Sequence, residues 1–277
     1  MRFGEAGYER PAILDKDGTI RDVSSLVSDF APDTVSSLML GTLTRADLSS
    51  LPEVPAGTRL GPPIARTGHF LAIGLNYADH AEESGMPIPT EPIIFSKAPS
   101  SLSGPNDDVV IPRGSVKTDW EVELAVIIGE QCHYVDEDQA LSMVFGYALC
   151  NDVSEREFQA ERGGQWIKGK SAPTFGPLGP WIVTADEIAD PQDLDMYLDV
   201  NGERCQTGNT RTMIFSVAHI VSYVSQFMAL EPGDIITTGT PPGVGMGMKP
   251  QRFLKAGDEM RLGIAGLGEQ RQKVVAA

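Results

Sequence analysis

The segment Trp120-Glu121-Val122-Glu123-Leu124 sets two carboxylates two residues apart. On an extended strand, residues at that spacing share a face. Glu121 and Glu123 therefore point one way, and Trp120, Val122 and Leu124 point the other, toward a core. Neighbouring carboxylates on a largely apolar strand repel each other unless positive charge lies between them. A hard divalent cation answers that need, because Mg²⁺, Mn²⁺ and Ca²⁺ all prefer oxygen ligands. The plain alternative is a strand edge carrying two solvated glutamates. Asp152 weighs toward the cation. It ends the apolar run GYALCND, where a strand end commonly delivers a carboxylate to a site, although a simple turn aspartate reads the same way.

A second constellation is Asn76-Tyr77-Ala78-Asp79-His80-Ala81-Glu82-Glu83. On a helix, His80 and Glu83 lie three apart on one face. A glutamate beside an imidazole fixes its tautomer and raises its basicity, as a general base requires. The alternative is a surface helix with an ordinary ion pair. Asp79 faces elsewhere, and His69, His133 and His219 read as structural. Lys168-Gly169-Lys170-Ser171 is not a phosphate-binding loop, since its leading glycine is misplaced. Lys170 could still meet an anionic substrate, or the stretch could be a solvent-facing loop. Thr237 to Gly245, TTGTPPGVG, offers amides and hydroxyls that could hold a carboxylate, or it is a hairpin end.

The elements that must position these groups are mostly strands. FLAIGLNY, PIIFSKAP, WEVELAVIIG, GYALCNDVSERE, LDMYLDVNGERC and IITTGTP each read as strands running into loops, and the chain ends in a further strand and turn around GIAGLG. Asn201-Gly202 marks a tight hairpin. The spacing of Ile214, Val217, Val221, Val224 and Met228 predicts a helix over 212–229. A further helix is expected from Asp136, with Gln139 as a capping-box partner and Leu141, Val144 and Phe145 as its apolar face. Residues 1–65 form a small N-terminal domain with a hairpin at Asp17-Gly18, closed by the Pro/Gly-rich LPEVPAGTRLGPPIAR, and residues 66–277 form the main domain. No regular βαβ alternation is present. The fold class is mainly β with α, an α+β arrangement.

Bulk properties narrow the function. The net charge of −16 repels polyanions, so nucleic acid is excluded as a natural partner. Cys132, Cys150 and Cys205 are odd in number and form no CxxC pair, so a disulfide framework and a zinc–thiolate site are not expected. The start, MRFGEAGYERPA, does not read as a secretion signal. The most apolar stretch, Met213 to Leu230, is too interrupted by polar residues to span a membrane. A cytoplasmic enzyme with no membrane partner is the expectation.

In this order the segments IGLNYADHAEE, FSKAPSSL, DWEVELAVIIG, GYALCNDVSERE, KGKS with TFGPLGP, and TTGTPPGVGMG resemble the fumarylacetoacetate hydrolase family, from about residue 66 to the end. The resemblance implies a β-roll core, a homodimer, and Mg²⁺ or Mn²⁺ on Glu121, Glu123 and Asp152, with Ca²⁺ able to occupy the same oxygens in crystals. It implies His80 and Glu83 on a lid helix and Lys170 as catalytic groups, with Gln159 and Thr240 binding a small-molecule substrate. The closing GVGMGMKP and GIAGLGEQRQ look most like bacterial members acting on 2,4-dioxo-3-deoxy sugar acids. The implied reaction is metal-dependent C–C hydrolysis of a 2,4-dioxo acid of the acylpyruvate type, giving pyruvate and a carboxylic acid. Alternatives on the same scaffold are oxaloacetate decarboxylation, isomerisation, a lyase step, or noncatalytic binding of an organic acid and metal. One departure stands out: Ala172-Pro173 replaces the Phe-Asp common in the family, which is expected to alter the pocket beside Lys170.

Overall fold

Seven successive residues, Val122–Ile128, are all buried, because both faces of this strand are covered. In the computed structural model, which describes every residue except Ser84 and Met86, the strand sits inside a six-stranded sheet. The sheet order is Val183–Thr184, Val144–Asn151, Val122–Ile128, Ile235–Thr237, Phe70–Gly74, Ile93–Lys97. Only the Ile235–Thr237 and Phe70–Gly74 pairing is parallel. The period-two alternation holds along the strand. Trp120, Val122, Leu124, Val126 and Ile128 enter the larger core, and Ala125 and Ile127 enter a second one. Glu121 and Glu123 share parity with the second set.

The larger core is filled from the other side by a five-stranded sheet and a helix. The sheet runs Glu203–Asn209, Asp195–Val200, Glu259–Ile264, Gly268–Ala276, Val109–Ile111. Met196, Leu198, Val200, Met260, Leu262 and Ile264 face inward from it. Burying each such side chain contributes about 1.5–3 kcal/mol. The Asn201-Gly202 hairpin forms, with φ of 53° and 78° at its two central residues, and the closing GIAGLG segment turns between the last two long strands. The combination is a mixed, α+β fold without a closed barrel.

The N-terminal residues build their own four-stranded sheet, in the order Ile20–Asp22, Arg10–Leu14, Arg2–Phe3, Leu60–Gly61. The first two of these pair antiparallel across Asp17-Gly18. A helix, Ser37–Arg45, is capped by Ser36 Oγ accepting from the Met39 amide at 3.3 Å, and it packs Met39 and Leu43 onto the second core.

Two helices differ from the sequence reading, each for a local reason. The helix expected over 212–229 spans Val217–Ser225. Before it, the Ile214 amide donates to the Asn76 carbonyl and the Phe215 amide donates to Asn76 Oδ1, so these residues brace the site instead of extending the helix. The helix expected from Asp136 is the single turn Glu137–Ala140. Asp136 makes no side-chain cap, so the capping box is absent. Val144 and Phe145 belong to the strand Val144–Asn151, whose ladder with Val122–Ile128 claims them. Among the described residues no helix is long and apolar enough to cross a membrane.

Candidate active site

The strand Phe70–Gly74 ends at Leu75, whose φ of 54° is left-handed and sharply redirects the chain. Asn76 holds that bend. Its Nδ2 donates to the carbonyls of Phe215 at 3.0 Å and Thr238 at 2.8 Å, and its Oδ1 accepts from the Phe215 amide at 2.8 Å. The helix that follows, Ala78–Glu83, is too short to be stable alone, so these anchors position it. Ser84, which follows this helix in sequence, lies outside the described residues. Both carboxylate oxygens of Glu83 accept from the Gly243 amide, at 3.1 and 3.0 Å. Burial opposes its ionisation, but the His80 ring and the Gly243 amide hold its carboxyl below the usual range. His80 is buried, with Nδ1 3.5 Å from Glu83 Oε2, and Nδ1 has no hydrogen-bond partner among the described residues.

Glu121, Glu123 and Asp152 converge beneath this helix. Each offers an oxygen, and the three lie within 4.8 Å of one another, all buried. Their surroundings are unequal. Lys170 Nζ donates to Glu121 Oε2 at 2.7 Å and Asp152 Oδ2 at 2.8 Å. Lys97 Nζ donates to Asp152 Oδ1 and to the Lys170 carbonyl, both at 2.5 Å. Arg156 Nη1 meets Glu121 Oε1 at 2.7 Å. Burial alone would raise the Glu121 carboxyl, but Lys170 and Arg156 hold it well below the usual range. Among the described residues, no cationic side chain contacts Glu123. It accepts only the Gly239 amide at 2.8 Å, and burial together with Asp152 and Glu121 pushes its carboxyl well above the usual range.

A buried carboxylate without a counter-charge, within reach of two others, is the donor set a hard divalent cation requires. The residues present fit such an ion. Gly239 is part of the fit: its φ is 94°, and a Cβ there would stand 2.7 Å from Asn76 Cβ. Gly239→Ala is expected to cost on the order of 1–3 kcal/mol through strain or overpacking, read as a lower midpoint in urea.

One cavity of about 260 Å³ collects most of these groups. His80, Glu121, Glu123, Gln159, Lys170 and Thr240 line it, and Asp152 and Glu83 contact this lining through Lys170 and His80. Lys170 is not in a solvent-facing loop. The helix Ile167–Lys170 buries it, and Asp152 and Glu121 raise the ammonium pKa against the opposing effect of burial. Gln159 lines the cavity; its Oε1 accepts from Arg156 Nη1 at 3.2 Å, and its NH₂ has no hydrogen-bond partner among the described residues. Thr240 is more committed. Its hydroxyl donates to the Val122 carbonyl at 2.9 Å and accepts from Gln206 Nε2 at 2.8 Å, so it offers the cavity a lone pair and no proton.

A fumarylacetoacetate (FAA) hydrolase C-terminal family model matches residues 69–275, the part of the chain that builds this site. The chain belongs to the fumarylacetoacetate hydrolase family. A relative from Burkholderia multivorans bearing the name "Putative hydrolase" is 59% identical, covering 100% of this chain and 99% of its own. A solved maleylpyruvate hydrolase from Sphingobium sp. SYK-6, in complex with manganese(II) and pyruvate, is 33% identical with a TM-score of 0.83 and complete coverage of both chains. A 5-carboxymethyl-2-hydroxymuconate delta-isomerase from Mycobacterium smegmatis is 32% identical with a TM-score of 0.78, covering 100% of this chain and 99% of its own.

The departure from the family at Ala172-Pro173 falls outside the cavity lining. Ala172 packs on the main core, Ser171 Oγ accepts from the Ala98 amide, and the carboxylate partners of Lys170 come from Glu121 and Asp152. Three residues that the sequence reading passed over hold the family site together. Lys97 was visible only as a lysine ending an apolar strand, and Arg156 as one charge in SERE. Asp119 is fully buried. It accepts from the amides of Gly245 at 2.7 Å and Met246 at 3.0 Å and from Arg156 Nε at 2.8 Å, tying the glycine-rich loop to the arginine that grips Glu121.

Proposed function

We propose that this chain hydrolyses the C3–C4 bond of a 2,4-dioxo acid of the acylpyruvate type, giving pyruvate and a carboxylic acid. The observation that carries the reading is the unpaired buried Glu123 in a carboxylate triad that shares one cavity with His80 and Lys170. Mg²⁺ or Mn²⁺ held by Glu121, Glu123 and Asp152 would act as a Lewis acid toward the carboxylate and 2-oxo end of the substrate.

The protein groups supply the rest. His80, oriented by Glu83, takes a proton from water, and the resulting hydroxide adds to the C4 carbonyl. The C3–C4 bond then breaks, its electron pair passes to C3 as the enolate of pyruvate, and the proton held by His80 returns to C3. Lys170 has three N–H donors and spends two on Glu121 and Asp152, so one remains for the enolate oxygen. Arg156 Nη2, buried with no hydrogen-bond partner among the described residues, and the NH₂ of Gln159 are donors available to the substrate carboxylate. The manganese and pyruvate bound by the Sphingobium hydrolase agree with a site built to hold the pyruvate half.

The test is product analysis with acylpyruvates, 2,4-dioxo-3-deoxy sugar acids and oxaloacetate, with Mg²⁺ or Mn²⁺ and then with EDTA. Stoichiometric pyruvate and carboxylic acid, lost on chelation and regained with metal, is the expected result. Carbon dioxide from oxaloacetate alone, or an isomerised 2-oxo acid without cleavage, would replace hydrolysis by the corresponding reaction. Binding without turnover at saturating metal would leave a noncatalytic acid-binding protein.

A further inference from the structure

The cavity has two ends of opposite character. The carboxylates, Lys170 and Arg156 form one, and Gly74, Phe95 and Trp166 form the other, with Ile73 and Leu75 flanking Gly74 in the lining. Trp166 is brought there by the turn Gly163-Gly164, whose φ values are 82° and 69°. Its ring packs edge-on against Phe95, with centroids 5.2 Å apart at 63°. The Phe95 ring in turn lies 5.1 Å from Lys170 Nζ, so the aromatic wall begins where the charged end stops. Gly74 makes the wall's position possible: a Cβ there would stand 2.5 Å from Trp166 Cζ3 and 3.0 Å from Cη2. Both cations of the cavity are engaged with the carboxylate end. No lysine or arginine among the described lining residues lies beyond Phe95 on the Trp166 side in any ion pair or ring contact; Lys170 marks the boundary.

We propose that Gly74, Phe95 and Trp166 select the acyl half of the substrate, favouring an uncharged, apolar chain or flat ring. This rests on the acylpyruvate reading above and deepens it. With the pyruvate half held at the carboxylate end, the substituent beyond C4 lies against the Phe95 and Trp166 rings. The polyol tail of a 2,4-dioxo-3-deoxy sugar acid would lose water from its hydroxyls against carbon, and a second carboxylate would be buried without a counter-ion. Trp166 is thus a specificity residue, distinct from the groups that perform the bond cleavage.

The experiment compares kcat/KM, with saturating Mn²⁺, for acetylpyruvate, butyrylpyruvate, benzoylpyruvate, fumarylpyruvate and a 2,4-dioxo-3-deoxy sugar acid, in the unaltered protein, Trp166→Ala and Gly74→Ala. In the unaltered protein the best apolar substrate should exceed the sugar acid and fumarylpyruvate by about 10²-fold. Trp166→Ala should lower the ratio of butyryl- to acetylpyruvate at least ~10-fold, mainly through KM. Gly74→Ala, which displaces the indole, should lower that ratio as well. A sugar acid or dicarboxylic substrate turned over as well as the apolar ones would overturn the inference and leave acylpyruvate hydrolysis standing. So would a Trp166→Ala loss that is uniform across acyl groups. No hydrolysis of any member by the unaltered protein would overturn the acylpyruvate reading itself, and this inference with it.

Discussion

Replacing His80 by alanine is expected to lower kcat for acylpyruvate cleavage by about 10²–10⁴-fold, the contribution of one well-placed proton-transfer group. His80 lines the cavity and is buried, and its buried Nδ1 faces Glu83 at 3.5 Å without any other partner. Glu83 is locked to the Gly243 amide by both oxygens, so it can orient the ring only if the helix settles by a few tenths of an ångström. Catalytic hydrogen bonds are often long before substrate binds. Glu83→Gln should therefore cost less than His80→Ala, since it removes the orienting charge and keeps the base. The two variants also separate reaction classes. Decarboxylation uses no water nucleophile, so it should tolerate His80→Ala and fail with Glu121→Gln. Hydrolysis within a few-fold of the unaltered protein in His80→Ala, with metal affinity preserved, would remove the water-activation role.

What the residues disclose in advance follows the range of the interactions involved. Glu121 and Glu123 are legible because strand periodicity is local: two residues apart on WEVELAV means one face, and the structure keeps that parity. His80 and Glu83 are legible for the same reason on a helix. Asn201-Gly202 is legible because its left-handed pair has few other uses. The helix at Val217–Ser225 was read too long because the ends of an apolar period are decided by distant partners. Asn76, far away in sequence, takes Ile214 and Phe215 out of it. Val144 and Phe145 were assigned to a helix because apolar spacing alone does not reveal a ladder with Ile128 and its neighbours. Asp119, Arg156 and Lys97 escaped because a buried charge in sequence looks like any surface charge. Its role appears only when the partner arrives from another element. Lys170 shows the same limit, since a lysine in a glycine-rich stretch gives no sign that it will be buried.

Lys97→Met should lower stability by about 3–5 kcal/mol, the cost of breaking a buried ion pair from one side. The lysine side chain is fully buried and comes from Ile93–Lys97, an edge strand of the large sheet. It satisfies two groups that have no route to water: Asp152 Oδ1 and the Lys170 carbonyl. Methionine fills similar volume but leaves both oxygens bare, so the loss is electrostatic and is not a packing defect. For a chain of this size that corresponds to a fall in Tm of roughly 6–20 °C. Lys97→Arg should not rescue it, because a guanidinium needs room and several acceptors where the structure offers one carboxylate oxygen and one carbonyl. The contrast with Lys170→Met is the informative one. Lys170→Met also breaks buried ion pairs and should lose stability too, but Lys170 lines the cavity and Lys97 does not, so Lys170→Met should abolish turnover even at temperatures where the protein is folded. Lys97→Met should instead retain measurable turnover at low temperature and lose it as it unfolds. An unchanged Tm in Lys97→Met would mean that Lys170 alone is counter-charge enough for Asp152, and the bracing role given to Lys97 would be wrong.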